Sequence, residues 1–227
     1  MGERTAAEAK AANVAVMGDP LGSVYSELWQ EVAWIHNNWS HYLELFGAKP
    51  SRIELLNSVA PSFFRTVQDC LFEAVLLHLA RLTDRAATTG RPNLSLRRLA
   101  ELLPESAPRA HIRDLVEEAV RATQFAHDWR NRRLAHRDLD LALGRTANSL
   151  APASRQSVKD ALVAIVNALN AVAAHFFDST TLFDLPGGND SVTLLYTLRD
   201  GLRAEEQRVE RLKSGHSNAE DVRHEDI

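Results

Sequence analysis

The chain holds a single cysteine, Cys70, so no intrachain disulfide and no cysteine-based zinc site can form. A lone cysteine in an apolar helical segment is expected to be buried as a small hydrophobe, not to serve as a nucleophile. No apolar run reads as long enough to span a bilayer, and the N-terminus lacks the basic-then-apolar layout of a secretory signal. The histidines are scattered without metal-ligand spacing, so no metal and no cofactor is expected. A P-loop, a G-x-S-x-G elbow and an alternating strand pattern are all missing, and no segment repeats. The formal net charge of −4 argues against a protein that coats nucleic acid broadly, though it leaves room for a local basic site. These absences describe a cytoplasmic protein with no membrane partner, and the length allows one sizeable core or at most two small ones.

What is present is helical periodicity. Residues 1–20 are rich in alanine and charge without an apolar face, and read as a flexible lead-in. A first firm helix is expected from about Ser23 to Phe46, with Leu28, Val32, Ile35, Trp39, Tyr42 and Phe46 at three- and four-residue steps. Trp34 falls off that stripe, where it can be a single exposed aromatic or a subunit contact. Ser51 and Glu54 form a capping-box pattern for the next helix. From Pro61 to Asp84 the chain is apolar nearly all round, as befits the centre of a bundle, and His78 within it reads as a hydrogen-bonded core residue. Thr88 to Asn93 is a turn cluster. Further helices follow from about Ser95 to Leu103, from Pro108 towards Trp129, after a cap at Ser154 or Ser157, and from Asp190 or Ser191 to about Leu212. The expected architecture is an all-α bundle with short connections: one domain over 21–212, followed by a polar, disordered tail over 213–227.

One stretch carries more chemistry than the rest: Asp128-Trp129-Arg130-Asn131-Arg132-Arg133-Leu134-Ala135-His136-Arg137-Asp138. It admits two readings. Cations at a helix C-terminus suit the negative end of the helix dipole, which would make the run structural. Alternatively, arginine clamps phosphate oxygens and histidine titrates near neutral pH, which would make it a phosphate-binding and proton-transferring site. Residues 121–145 hold six arginines against three aspartates, a local positive excess suited to a phosphodiester. His136-Arg137-Asp138-Leu139 imitates the start of a kinase catalytic loop, but no glycine-rich loop, strand lobe or D-F-G accompanies it.

Arg130-Asn131, four residues, then His136 resembles the signature of HEPN domains, and the fuller run R-N-R-R-L-A-H-R-D is similar to the AbiU abortive-infection branch of that superfamily. Arg81-Leu82-Thr83-Asp84 resembles a second element of the same branch. The resemblance implies a HEPN-like helical bundle over roughly residues 20–200. It also implies a metal-independent endoribonuclease that acts as a toxin or phage-defence effector. Arg130, Asn131 and His136 would be catalytic, Arg132, Arg133 and Arg137 would hold RNA phosphates, and Asp84 and Asp138 would support them. Asp84 has a competing account as the i, i+3 partner of Arg81. The RNA's own 2′-hydroxyl would be the nucleophile, leaving a cyclic phosphate end. Partners implied are RNA, a second copy of the chain and an antitoxin. The tyrosine used for nucleotidyltransferase control in some relatives is missing, since Arg137 and Asp138 stand beyond the histidine.

Geometry constrains this reading. Residues six apart on an ideal helix point well away from each other, at about 100° per residue. Arg130 and His136 can converge only if the helix ends or bends between them, or if two chains each lend a half-site, as HEPN domains typically do. Two rivals stay open: a non-catalytic module that holds a nucleotide, RNA or a protein through the same arginines, and a purely structural run in which Arg130 and Asp138 tie helix ends together.

Overall fold

The computed structural model describes residues 5–135, 138–145, 149–183, 190–218 and 221. Among them are ten α-helices: α1 (Ala6–Met17), α2 (Leu21–Tyr42), α3 (Pro50–Val59), α4 (Pro61–Leu82), α5 (Leu96–Leu102), α6 (Arg109–Ala122), α7 (Gln124–Trp129), α8 (Leu139–Ala142), α9 (Arg155–Phe177) and α10 (Asp190–Lys213). Two five-residue π-helical turns extend α2 (Leu43–Gly47) and α7 (Arg130–Leu134). The only strands among the described residues, β1 (Ala87–Thr88) and β2 (Arg91–Pro92), pair antiparallel as Ala87 with Pro92 and Thr88 with Arg91. This hairpin lies in the expected turn cluster. Thr89 and Gly90 both take positive φ (47° and 78°), as the tight two-residue hairpin turn requires. Strands of two residues are too short to leave an alternating pattern in sequence.

The fold is all-α, as the periodicity predicts. The chain packs into two compact units: Met1–Trp39 with Leu71–Leu185, and Ser40–Cys70 with Pro186–Ile227. The first unit has α6 packed along α9, with α5 against both. Its core comprises Leu28, Val32 and Ile35 of α2, Val75, Leu76 and Leu79 of α4, Ile112 and Val116 of α6, and Val158, Ile165, Leu169 and Val172 of α9, all buried. The second unit closes around Leu45, Leu56, Phe64 and Leu195, and there the His41 Nδ1 lies 2.6 Å from the Ser191 hydroxyl.

Several expectations need correction. Residues 6–17, within the expected flexible lead-in, form α1, started by a Thr5–Glu8 capping box that the composition hid. Ser51 does not cap α3: the helix begins one residue earlier at Pro50, whose missing N–H suits a first helical position. Cys70 is exposed, because α4 is buried on a stripe through Phe64, Val75 and Leu79 and is not buried on all sides in its first half, where Phe63 is 60% exposed. By length and composition α9 is apolar enough to cross a membrane, contrary to the reading of apolar runs. It instead buries Val158, Leu162, Ile165 and Leu169 in the first unit. His78 is hydrogen-bonded as expected, but it stands at the edge of the core with its side chain 17% exposed. Its Nδ1 lies 2.6 Å from Glu31 and its ring packs on exposed Trp34. The expected disordered tail lies largely outside the described residues. Within it Asp221 is buried and receives hydrogen bonds from Arg211, which hold its carboxyl down at about 2.

Candidate functional site

The site is built where α4 ends and α7 begins, both within the first unit. Two threonines form its floor. Thr83 follows the last residue of α4 and bonds its hydroxyl back to the Leu79 carbonyl (3.0 Å). Thr123 interrupts α6 and α7, with its hydroxyl 2.9 Å from the Ala119 carbonyl. Back-bonding of this kind is what lets a threonine end or bend a helix without stranding its hydroxyl. The two buried hydroxyls meet at 2.7 Å, and Thr83 Oγ1 also lies 3.0 Å from His127 Nε2. The other ring nitrogen, Nδ1, lies 3.9 Å from Asp84 Oδ1.

Asp84 is the hub. Its Oδ2 accepts from Arg130 Nη1 at 2.6 Å, a short charge-assisted bond between side chains only 28% and 23% exposed. Arg130 Nε donates to Asn131 Oδ1 at 3.2 Å. A guanidinium has five N–H donors, so Arg130 is oriented by two bonds and keeps the others available for an anion. Burial pushes the His127 imidazole below its ordinary pKa. The Arg130 cation adds to this, Asp84 opposes it, and Arg97 lowers it further. The ring is therefore neutral at pH 7. Each hydroxyl has a single proton, so the Thr83 proton goes either to the Leu79 carbonyl or to His127 Nε2, and the ring tautomer follows from that choice.

The following segment is pinned from the other side. The Asp128 carboxylate accepts from the Ala151 N–H (2.8 Å), and Trp129 Nε1 donates to the Ala151 carbonyl (2.8 Å). Trp129 packs edge-on to Phe72 and under the Arg133 guanidinium. These contacts hold the π-helical turn Arg130–Leu134, in which the Ala135 N–H reaches back five residues to the Arg130 carbonyl at 2.8 Å. Such a widened turn re-aims side chains and is frequent at functional sites. The helix thus ends between Arg130 and position 136, the first of the two conditions under which those residues can converge.

The structure brings Asp84, Arg130 and Asn131 together, while Arg132, Arg133 and Asp138 take other partners. Asp84 takes Arg130 and not its sequence neighbour Arg81, so the local ion-pair account of Asp84 is corrected. Arg132 contacts Asp128 (3.4 Å), Asp138 (3.7 Å) and the Ser149 carbonyl, which ties the loop to the helix. Asp138 caps α8 through the Leu141 N–H and stands with Arg132, apart from Arg130. Arg133 is half-exposed, 3.6 Å from Glu73. His136 and Arg137 lie outside the described residues. His127, Thr83 and Thr123 are additions the sequence reading missed. The signal available was spacing, since His127 precedes Arg130 by three residues on one helix and so shares its face.

The fold and this charged helix end define a class: an all-helical protein with an arginine-centred polar site between two helix termini. Comparison makes it specific, since the family model HEPN_AbiU2 (AbiU2) matches residues 18–194, and the chain belongs to that family. No curated protein and no solved structure matches the chain.

Proposed function

We propose that this protein is a metal-independent endoribonuclease of HEPN type, working in the cytoplasm as an abortive-infection effector. The observation that carries the reading is Arg130, fixed by Asp84 and Asn131 with donors to spare, at a helix end that widens and stops just before His136. In the reaction the ribose 2′-oxygen forms a bond to phosphorus, the bond to the 5′-oxygen breaks, and a cyclic phosphate and a 5′-hydroxyl result. His136 takes the 2′ proton or returns one to the leaving oxygen, and Arg130 neutralises charge gathering on the phosphate. The substrate supplies the nucleophile, so the step calls for no metal. A homodimer that brings two signatures together would supply a second His136, and an antitoxin would restrain the activity.

The test is incubation with total RNA in EDTA, with end-group analysis. Wild type should produce cyclic phosphate ends, while His136→Ala should lose about 10²–10⁴-fold in rate. RNA left intact by both would favour a non-catalytic HEPN module that binds nucleotide, RNA or protein. One observation supports that rival: Arg132 and Arg133 stand beside Asp128 and Glu73, which offsets part of the local positive excess. Sedimentation as a monomer at working concentration would count against the composite dimeric site.

A further inference from the structure

A groove of about 370 Å³ in the first unit is walled by Arg85, Arg97 and Arg113, with Glu101 and Glu117 beside them and Val116 in its floor. This volume falls within the range of about 300–1,000 Å³ typical of small-ligand sites. Its charges are unevenly used. Arg97 is paired with Glu117 at 2.9 Å, and Glu101 is paired with Arg98 at 3.1 Å. Arg85 and Arg113 make no side-chain ion pair or hydrogen bond among the described residues, and both are exposed. The two carboxylates are thus already satisfied and the two open groups are both guanidiniums. The groove borders the Asp84 site: Arg85 is the next residue after Asp84, and the Arg97 charge is felt at His127.

We infer that this groove is a subsite for a nucleotide flanking the scissile linkage, with Arg85 and Arg113 gripping backbone phosphates. The inference rests on the RNA-cleaving reading and extends it, because it assigns RNA contacts to the α5–α6 region outside the signature run. Arginine suits the role: its planar fork meets phosphate oxygens two at a time. Glu117 then acts as a brake, since it occupies Arg97, the third cation of the wall.

The experiment uses the full chain and a fluorescently labelled single-stranded oligonucleotide with 2′-O-methyl ribose, which lacks the nucleophile and reports binding alone. Affinity is measured across a salt series for wild type, Arg85→Ala/Arg113→Ala and Glu117→Gln. Each phosphate contact on a single strand adds about 0.7 to the slope of log affinity against log salt, so the double variant should lose about 1.4 from it. Its affinity should fall at least about tenfold at low salt, since two phosphate contacts are removed. Glu117→Gln should bind more tightly than wild type, a gain that misfolding cannot imitate. Wild-type binding with an unchanged slope in the double variant overturns the groove and leaves the RNA reading standing. No binding by wild type itself removes the RNA reading and the subsite with it.

Discussion

Asp84→Asn isolates the contact on which the site is assembled. The change keeps the shape of the side chain, removes its charge, and leaves Arg130 with a neutral acceptor in a position only about a quarter open to solvent. A hydrogen bond to a charged group contributes roughly 1.5–3 kcal/mol. Partial solvent screening and the remaining amide oxygen reduce the expected loss to about 1 kcal/mol. For a chain of this size that lowers the melting temperature by roughly 2–4 °C. A second effect has a definite sign. Asp84 is the group that raises the His127 pKa against burial, Arg130 and Arg97, so its neutralisation should drive that pKa further down. Thermal unfolding followed by circular dichroism reads the first effect, and an NMR titration of the imidazoles reads the second. In a double-mutant cycle with Arg130→Ala the two stability losses should not add, because both remove one bond. Unaltered melting combined with a His127 titration that stays put, or moves up, would refute the claim that Asp84 organises the site.

Other outcomes follow from the same structure. The His127 pKa is lower in the folded chain than its unfolded value of about 6.5, so below that pH the unfolded state binds the extra proton. This group's contribution should therefore be intact above about pH 6.5 and decline on acidification, levelling off below the folded pKa. His127→Gln should flatten that part of the stability-pH curve in chemical denaturation. Gly22→Ala would place a Cβ 2.6 Å from the Val14 Cα and 2.7 Å from the Asn13 carbonyl oxygen, both backbone atoms that cannot step aside. Forcing α1 and α2 apart should cost about 1–3 kcal/mol, seen as a lower denaturation midpoint. Tyr25 is buried and its hydroxyl is pushed up to about 12. One tyrosine should thus ionise late in an ultraviolet titration, and Tyr25→Phe should remove that late step.

Sequence alone was sufficient for the helical class, because the signal is periodic and local. Leu28, Val32, Ile35 and Trp39 recur at helical steps, and all four are buried. Caps such as Ser95 and Ser154 are written within three residues of the bonds they make. The signature run was visible for the same reason: Arg130, Asn131 and His136 fall within seven residues. Partner choice was not. Asp84 is three residues from Arg81 and 46 from Arg130, and only the packing of α4 against the α7 segment decides that the distant arginine takes it. The Thr83–Thr123 contact joins residues 40 apart and gives His127 its environment, which no local pattern announces. Division of the helices into two units, and the exposure of Cys70 on a helix apolar in composition, are likewise settled by which faces meet. Local backbone preferences and side-chain periodicity act over a few residues and so can be read along the chain. Burial, ion-pair choice and the shift of a histidine's pKa are sums over neighbours in space, and the chain acquires those neighbours only when it folds.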